Sequence, residues 1–293
     1  MPIVDSDQRF VACTVDRMDF ERPVVFECEG DQLLGILTCG PMGGRRGVLV
    51  VVGGPQYRAG SHRQFTLLAR KLALGGFPTF RFDYRGMGDS SGSPRTFESV
   101  EADLGAAVAA FQREVPELDE IVLWGLCDGA SAVMMFGASG KPVHGMIVLN
   151  PWVRSMATLA RSHIRHYYPR RLAQRSFWIK VLAGDIRIGE AIASLVQNIS
   201  GLRRPNASSA PHFIDGMRRG FAAFPGRVLI VLSGDDLTAR EFLEVVNMDP
   251  QWQETLSAAR VDRVDIPDAD HTFSRFSSRQ NVEQTTLSWL ASW

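Results

Sequence analysis

Short apolar runs alternate with amphipathic stretches along most of the chain, which predicts strands alternating with helices. The runs have strand length, and the one at 47–52 is apolar throughout, as expected of a strand buried on both faces of a parallel sheet. They lie at 24–28, 33–37, 47–52, 78–82, 121–124, 146–149, 228–232 and 261–266. Helical spacing of apolar residues follows at 65–72, 100–111 and 130–136 and after each of the last two strands. The pattern therefore predicts an α/β fold, with a mostly parallel central sheet flanked by helices and opened by a hairpin around Glu29-Gly30-Asp31.

The alternation is interrupted between residues 154 and 226, where the apolar pattern is helical. This stretch is too long for a loop, so we predict a helical lid at 154–226, inserted into a core domain made of 1–153 and 227–293. The lid carries twelve lysines and arginines against three acidic residues. One interpretation is that the substrate, or a carrier linked to it, is anionic. The alternative is that these arginines pair with the more acidic core domain.

Composition and charge argue against several classes of protein, namely nucleic-acid-binding, membrane-spanning and secreted proteins. The 32 basic and 32 acidic residues cancel, which argues against a nucleic-acid partner. No apolar run approaches the roughly 18–20 residues needed to span a bilayer, and the N-terminus lacks the pattern of a secretory signal. We therefore expect a cytoplasmic protein with no membrane span that acts on a small molecule, with a homo-oligomer left as an open alternative.

The chain has four cysteines, at positions 13, 28, 39 and 127, and no two of them have the C-x-x-C spacing. We predict neither a zinc site nor any other metal or cofactor. In a reducing compartment the four are expected to be free thiols.

One cysteine lies in a distinctive context. The segment Gly125-Leu126-Cys127-Asp128-Gly129 joins the strand at 121–124 to a helix and has the form G-x-C-x-G. With serine at its centre this is the nucleophile elbow, a sharp turn whose flanking glycines avoid collisions with the adjacent strand and helix. A helix N-terminus favours a thiolate there, so Cys127 is the predicted nucleophile. The alternative is a structural cysteine between two glycines.

The order of other chemical groups supports the catalytic interpretation. After the elbow, the strand at 228–232 runs into Asp235 and Asp236, and the last strand runs into His271. This is the order nucleophile, acid, histidine that follows such elbows. His271 is the one histidine of six that follows the final strand. We assign His271 as the base and prefer Asp236 over Asp235 as the acid, because the acid of such folds stands just before the loop that leads into the next helix.

An oxyanion hole requires two backbone N–H groups near the nucleophile. We predict one from Asp128, the residue after the nucleophile, and the other from the loop that follows the strand at 47–52. Pro55 has no N–H, so Gly54 is the best candidate and Gln56 the next. Gln56 and Tyr57 are also assigned to substrate binding. The alternative is that this loop is a simple strand-ending turn.

The glycine-rich segment at 83–90 lacks the lysine of a phosphate-binding P-loop and does not match G-x-G-x-x-G. We interpret it as structural, with Asp83 and Arg85 paired with each other and not catalytic.

Taken together, G-x-C-x-G and the segments 53–58, 61–65 and 82–90 resemble the exosortase A system-associated hydrolases, type 1. The resemblance covers essentially the whole chain. It implies an α/β-hydrolase fold and a bacterial setting near exosortase and exopolysaccharide genes. Dienelactone hydrolases are similar in placing a cysteine at the elbow, completed by a histidine and an aspartate.

The sequence thus predicts a hydrolase of ester or thioester bonds that forms an acyl-enzyme on Cys127. Two alternatives stay open, namely an acyltransferase with the same three residues and a non-catalytic binding module of the same fold.

Overall fold

A computed structural model describes residues 20–41, 43–53, 57–154, 212–258 and 260–293. Most of the predicted lid, at 155–211, lies outside the described residues, as do Gly54 and Gln56. The division into a core domain and a lid at 154–226 stays a prediction.

The described residues form one eight-stranded sheet in the order β1-β2-β4-β3-β5-β6-β7-β8. Strands β1 and β2, and β2 and β4, pair antiparallel, and all other neighbours pair parallel. The strands are β1 (Glu21–Cys28), β2 (Asp31–Thr38), β3 (Arg46–Val51), β4 (Thr79–Phe82), β5 (Glu120–Leu126), β6 (Gly145–Leu149), β7 (Arg227–Ser233) and β8 (Val261–Ile266). Each predicted strand and the opening hairpin are confirmed, and the mostly parallel arrangement follows from the crossover helices between strands.

Seven α-helices accompany the sheet in the described part of the chain. They are α1 (Gln64–Leu74), α2 (Glu101–Glu114), α3 (Asp128–Phe136), α4 (His212–Ala223), α5 (Leu237–Met248), α6 (Pro250–Leu256) and α7 (Phe276–Leu290). Short 3-10 turns at Ser61–Arg63 and Phe97–Ser99 precede α1 and α2.

Two consecutive residues of β5 show how the helices cover the sheet. Trp124 meets Phe65 of α1 at a ring distance of 5.6 Å, and its indole N–H lies 3.4 Å from the hydroxyl of Thr286 in α7. The next residue, Gly125, faces the start of α3. Because successive strand residues point to opposite faces, α1 and α7 cover one face and α3 covers the other. The central strands are therefore buried on both sides, which explains their uninterrupted apolar sequence.

The predicted pairing of Asp83 with Arg85 is wrong. Arg85 instead forms a fork with the fully buried carboxylate of Asp103, with an Nη2 to Oδ2 distance of 2.9 Å. Asp83 pairs with the guanidinium of Arg58 and accepts the Arg58 backbone N–H at 2.7 Å. The segment is structural, as predicted, but its two charges pair with Arg58 and Asp103 and not with each other.

The cysteines depart from expectation at one position. Cys28 and Cys127 are free thiols, whereas Cys39 is disulfide-bonded. The prediction of four free thiols, which assumed a reducing compartment, is therefore wrong at Cys39. Among the described residues, no helix is long and apolar enough to cross a membrane.

Candidate active site

Cys127 lies at the sharp turn between β5 and α3, with φ 60° and ψ −126°. A non-glycine residue in this region is strained and persists only where surrounding contacts hold it. Four hydrogen bonds do so. The Cys127 N–H donates to the carbonyl of Leu149 at 2.9 Å, and the Cys127 carbonyl accepts from the Ser131 N–H at 3.2 Å, the Ser131 hydroxyl at 3.3 Å and the Trp152 N–H at 3.2 Å. The thiol is therefore held at the carboxyl edge of the sheet by its own backbone.

The two glycines that flank the turn are required by space. A Cβ on Gly125 would lie 2.6 Å from the carbonyl oxygen of Gly129, and a Cβ on Gly129 would lie 2.5 Å from the carbonyl oxygen of Val51. Both distances are shorter than real contacts allow, and both involve backbone atoms that cannot move aside. The predicted collisions of larger side chains with the adjacent strand and helix are confirmed.

The structure brings His271 and Asp236 together beside this turn. His271 Nδ1 lies 2.8 Å from Asp236 Oδ2, and the Cys127 thiol is a second hydrogen-bonding neighbour of the imidazole. Since Nδ1 faces the carboxylate, Nε2 is the ring nitrogen left for the thiol. The imidazole of His271 therefore contacts the Asp236 carboxylate through Nδ1 and has the Cys127 thiol as its other polar neighbour.

The Asp236 carboxylate is oriented by the helix that it begins. It is the N-cap of α5, and its two oxygens accept the backbone N–H groups of Thr238 and Ala239, each at 3.1 Å. Its side chain is 6% exposed. The same two hydrogen bonds that cap the helix therefore fix the carboxylate against the imidazole.

Asp235, the competing acid, points elsewhere. Its side chain is 76% exposed, and its nearest basic partner is Arg240 at 3.9 Å. The geometry places Asp236, and not Asp235, in contact with His271.

These contacts raise the pKa of His271 to about 10. The hydrogen bond that the imidazole donates to Asp236 contributes most and the hydrogen bond with Cys127 next, whereas burial opposes them by disfavouring the charged ring. Both contacts thus favour the protonated imidazole, which is the form that stabilises a neighbouring thiolate.

The segment that follows β3 lies against the elbow. A Cβ on Gly53 would overlap the carboxylate of Asp128, so the chain leaving β3 and the start of α3 are in close contact. The buried hydroxyl of Tyr84 donates to the Val52 carbonyl at 2.5 Å, and burial holds the pKa of Tyr84 well above its ordinary value, so this donor keeps its proton. Gly54 and Gln56, assigned to the oxyanion hole and substrate binding, lie outside the described residues.

Tyr57, also assigned to substrate binding, is 45% exposed, and the Arg58 guanidinium lies 4.5 Å from the centre of its ring. Because Arg58 is in turn bound to buried Asp83, the segment after β3 is tied to the end of β4. The ring of Tyr57 is thus exposed to solvent beside the buried Arg58–Asp83 ion pair.

The alpha/beta hydrolase family model matches residues 48–284, which include most of β3, the elbow, Asp236 and His271. The chain belongs to the alpha/beta hydrolase family. Its similarity to the human protein ABHD12B is 31% identity over 117 residues, covering 37% of this chain and 31% of ABHD12B. The matched segment spans about a third of that relative's length.

Solved structures of esterases share the fold of this hydrolase. The Pyrococcus furiosus esterase Pf2001 superposes with a TM-score of 0.64 at 15% identity, covering 93% of this chain and 92% of that one. A thermostable carboxyl esterase from Bacillus coagulans gives a TM-score of 0.62 at 15% identity, with 92% and 98% covered. Est1E of Butyrivibrio proteoclasticus, bound to ferulic acid, gives 0.59 at 16% identity, with 92% and 100% covered. At these identities the likeness establishes the fold alone.

Two buried polar residues of the hydrolase escaped the sequence analysis. Ser131 and Asn150 are both fully buried, Ser131 behind the elbow and Asn150 behind His271. Asn150 could have been found, because it directly follows a buried strand of a parallel sheet, the position where functional groups collect. Ser131 lies inside a small-residue helix and carries no comparable pattern.

Two of the three described bases from the predicted lid pair with acids of the core. Arg154 Nε lies 3.1 Å from the buried carboxylate of Glu241, and Arg218 lies 3.8 Å from Asp249. For these residues the structure favours charge pairing with the core over binding of an anionic substrate. In the part of the chain that the structure describes, no group of three or more histidine, cysteine or acidic side chains is arranged to hold a metal ion.

Proposed function

We propose that this protein hydrolyses ester or thioester bonds of a small acyl substrate through an acyl-enzyme on Cys127. The supporting observation is the contact chain described above, in which the Cys127 thiol and the Asp236 carboxylate are hydrogen-bonding neighbours of one imidazole. A nucleophile, a base and a group that orients the base are what covalent acyl transfer requires.

In the first step the Cys127 thiolate attacks the carbonyl carbon, and the carbonyl electron pair moves to oxygen. The backbone N–H of Asp128 at the start of α3 and one from the segment after β3 stabilise this oxyanion. The tetrahedral intermediate collapses to a thioester on Cys127, and the leaving alkoxide or thiolate takes the proton of the His271 imidazolium.

In the second step the neutral His271 removes a proton from water as the water attacks the thioester. Collapse of the second tetrahedral intermediate releases the acid and restores the Cys127 thiolate next to imidazolium. Asp236 stays ionised throughout and fixes the ring so that Nε2 faces the sulfur.

The test is direct observation of the acyl-enzyme. After brief incubation with a p-nitrophenyl ester, intact mass should show one acyl group per chain, located on Cys127 by peptide mapping. Cys127→Ala should abolish the adduct, whereas Cys28→Ala, which removes the buried thiol that is also free, should leave it unchanged. If no adduct forms with activated esters, thioesters or lactones, and Cys127 alkylates no faster than a simple thiol, the protein is a binding module and the proposal is wrong.

The thiol nucleophile also favours a second candidate, an acyltransferase. A thioester intermediate reacts more readily with amines and thiols than an oxygen ester does, so a bound acceptor could replace water in the second step. Product analysis with and without an added amine distinguishes hydrolysis from acyl transfer, because a transferase would form the amide in preference to the free acid.

We further propose that the protein belongs to the exosortase-associated hydrolases. The support is the resemblance of G-x-C-x-G and of segments 53–58, 61–65 and 82–90. The gene neighbourhood tests this proposal, because exosortase and exopolysaccharide genes should lie beside the coding sequence.

A further inference from the structure

Asn150 stands directly after β6, at the carboxyl edge of the sheet, and its side chain is fully buried. Its backbone has φ 44°, in the left-handed region that asparagine tolerates better than most residues. Its N–H donates to the carbonyl of Val231 in β7 at 3.1 Å. A polar residue buried in a strained conformation requires a full set of partners, and these partners identify what the residue does.

The Asn150 amide joins β7 to the loop that carries His271. Its Nδ2 donates to the Ser233 hydroxyl at 2.8 Å and to the His271 backbone carbonyl at 3.0 Å, and its Oδ1 accepts the Ser233 N–H at 2.9 Å. The Ser233 hydroxyl in turn donates to the Asp270 carbonyl at 2.9 Å. Two successive carbonyls of the histidine loop are therefore held by the Asn150–Ser233 pair.

The residue before Asn150 holds the other reacting group. Leu149, the last residue of β6, accepts the backbone N–H of Cys127 at 2.9 Å. The dipeptide Leu149-Asn150 thus binds the backbone of the nucleophile through one residue and the backbone of the base through the next. Because both bonds are made from adjacent residues of a buried strand end, they define the separation of Cys127 and His271.

We propose that Asn150 is a positioning residue that sets the distance between the Cys127 sulfur and the His271 imidazole, with Ser233 as its partner. The inference rests on the proposed function, since it assigns Asn150 a role in acylation of Cys127. Asn150 acts through the backbone of His271 and does not touch the substrate.

Asn150→Asp is the sharpest perturbation, because aspartate has the same shape and also tolerates a left-handed backbone. It replaces the Nδ2 donor with an oxygen that faces the His271 carbonyl, so attraction becomes repulsion. Displacement of a reacting group by an ångström can reduce a rate about 100-fold, so we expect acylation of Cys127 to slow by about 10- to 100-fold. Ser233→Ala should have a smaller effect in the same direction, since it leaves the Asn150 bond to His271 in place.

The control is Thr79→Val in β4. Thr79 is equally buried, and its hydroxyl donates to the Phe77 carbonyl at 3.0 Å, so this variant loses one buried hydrogen bond away from the site. Three quantities are measured for each full-length protein, namely the acylation rate of Cys127, the pH dependence of its alkylation by iodoacetamide, and the thermal midpoint of unfolding.

The proposal is supported if Asn150→Asp and Ser233→Ala slow acylation and move the pH profile, while Thr79→Val lowers only the thermal midpoint. It is overturned if the two site variants lower the midpoint but retain the acylation rate and pH profile of the native protein. If Asn150→Asp does not fold, Ser233→Ala alone decides between these outcomes. Failure of the native protein to acylate would instead refute the proposed function, and the role of Asn150 with it.

Discussion

Replacement of Asp236 by asparagine isolates the contribution of the carboxylate to the contact chain. Asparagine caps helices about as well as aspartate, so α5 should keep its first turn. The change removes the negative charge and one oxygen from a group that is 6% exposed and lies 2.8 Å from His271 Nδ1. The variant should fold with one of the two cap hydrogen bonds lost, and its main effect should be on the imidazole.

The magnitude follows from the nature of the hydrogen bond. A hydrogen bond to a charged group contributes about 1.5–3 kcal/mol, and each 1.4 kcal/mol is a factor of about ten in rate, which gives about a 10- to 150-fold loss. In serine enzymes the equivalent change costs about 10⁴-fold, because the serine must be deprotonated during attack. A thiol ionises more readily than a serine hydroxyl, so we expect a smaller loss in the proposed cysteine enzyme.

The assay is a burst experiment with p-nitrophenyl acetate, in which the acylation rate of Asp236→Asn is compared with those of His271→Ala and of Asp235→Asn. Asp235 is the matched control, because it is the adjacent residue of the same type and its side chain is 76% exposed. We expect the rate to fall least in Asp235→Asn, more in Asp236→Asn and most in His271→Ala. Equal losses at positions 236 and 271, or a loss at 235 as large as that at 236, would refute the reasoning.

Three further predictions concern stability and protonation. Gly129→Ala places a methyl group against the Val51 carbonyl, so the thermal midpoint should fall and acylation should be lost; retention of both would show that the backbone can relax. Arg85→Met leaves the fully buried Asp103 carboxylate without its fork partner and should lower the free energy of unfolding by about 3–5 kcal/mol in urea titrations. His271 has a raised pKa, so its stabilisation should be complete below about pH 6.5 and disappear as pH rises through about 10, which NMR titration of its ring protons and pH-dependent unfolding should both show.

The pattern of apolar and polar residues along the chain was sufficient to predict much of the architecture. Central strands such as β3 and β5 could be predicted because strands buried on both faces are apolar throughout, and the end of α1 because glycines follow it. The two glycines around Cys127 were predicted for the reason observed, since the collision they avoid is between backbone segments adjacent in the chain or in the sheet.

Charge partners were harder to predict. Asp83 and Arg85 are two residues apart, yet they pair with Arg58 and Asp103, because the loop after β4 directs them to different neighbours. The same limit applied to two arginines of the predicted lid, because Arg154 and Arg218 pair with acids in or at the start of sheet-flanking helices that are distant in sequence. A long charged side chain can reach several groups of opposite charge, and only the packed structure determines which of them it pairs with.

The sequence by itself determined the order of chemical groups along the chain, because each of Cys127, Asp236 and His271 follows a recognisable buried strand. Tertiary structure decided which groups meet. The direction of a side chain at a strand end depends on how the following helix begins, which sends Asp236 to the imidazole and Asp235 to solvent. The role of Asn150 likewise arises only when β6 and β7 pair side by side, since its partners are 83 and 121 residues away along the chain.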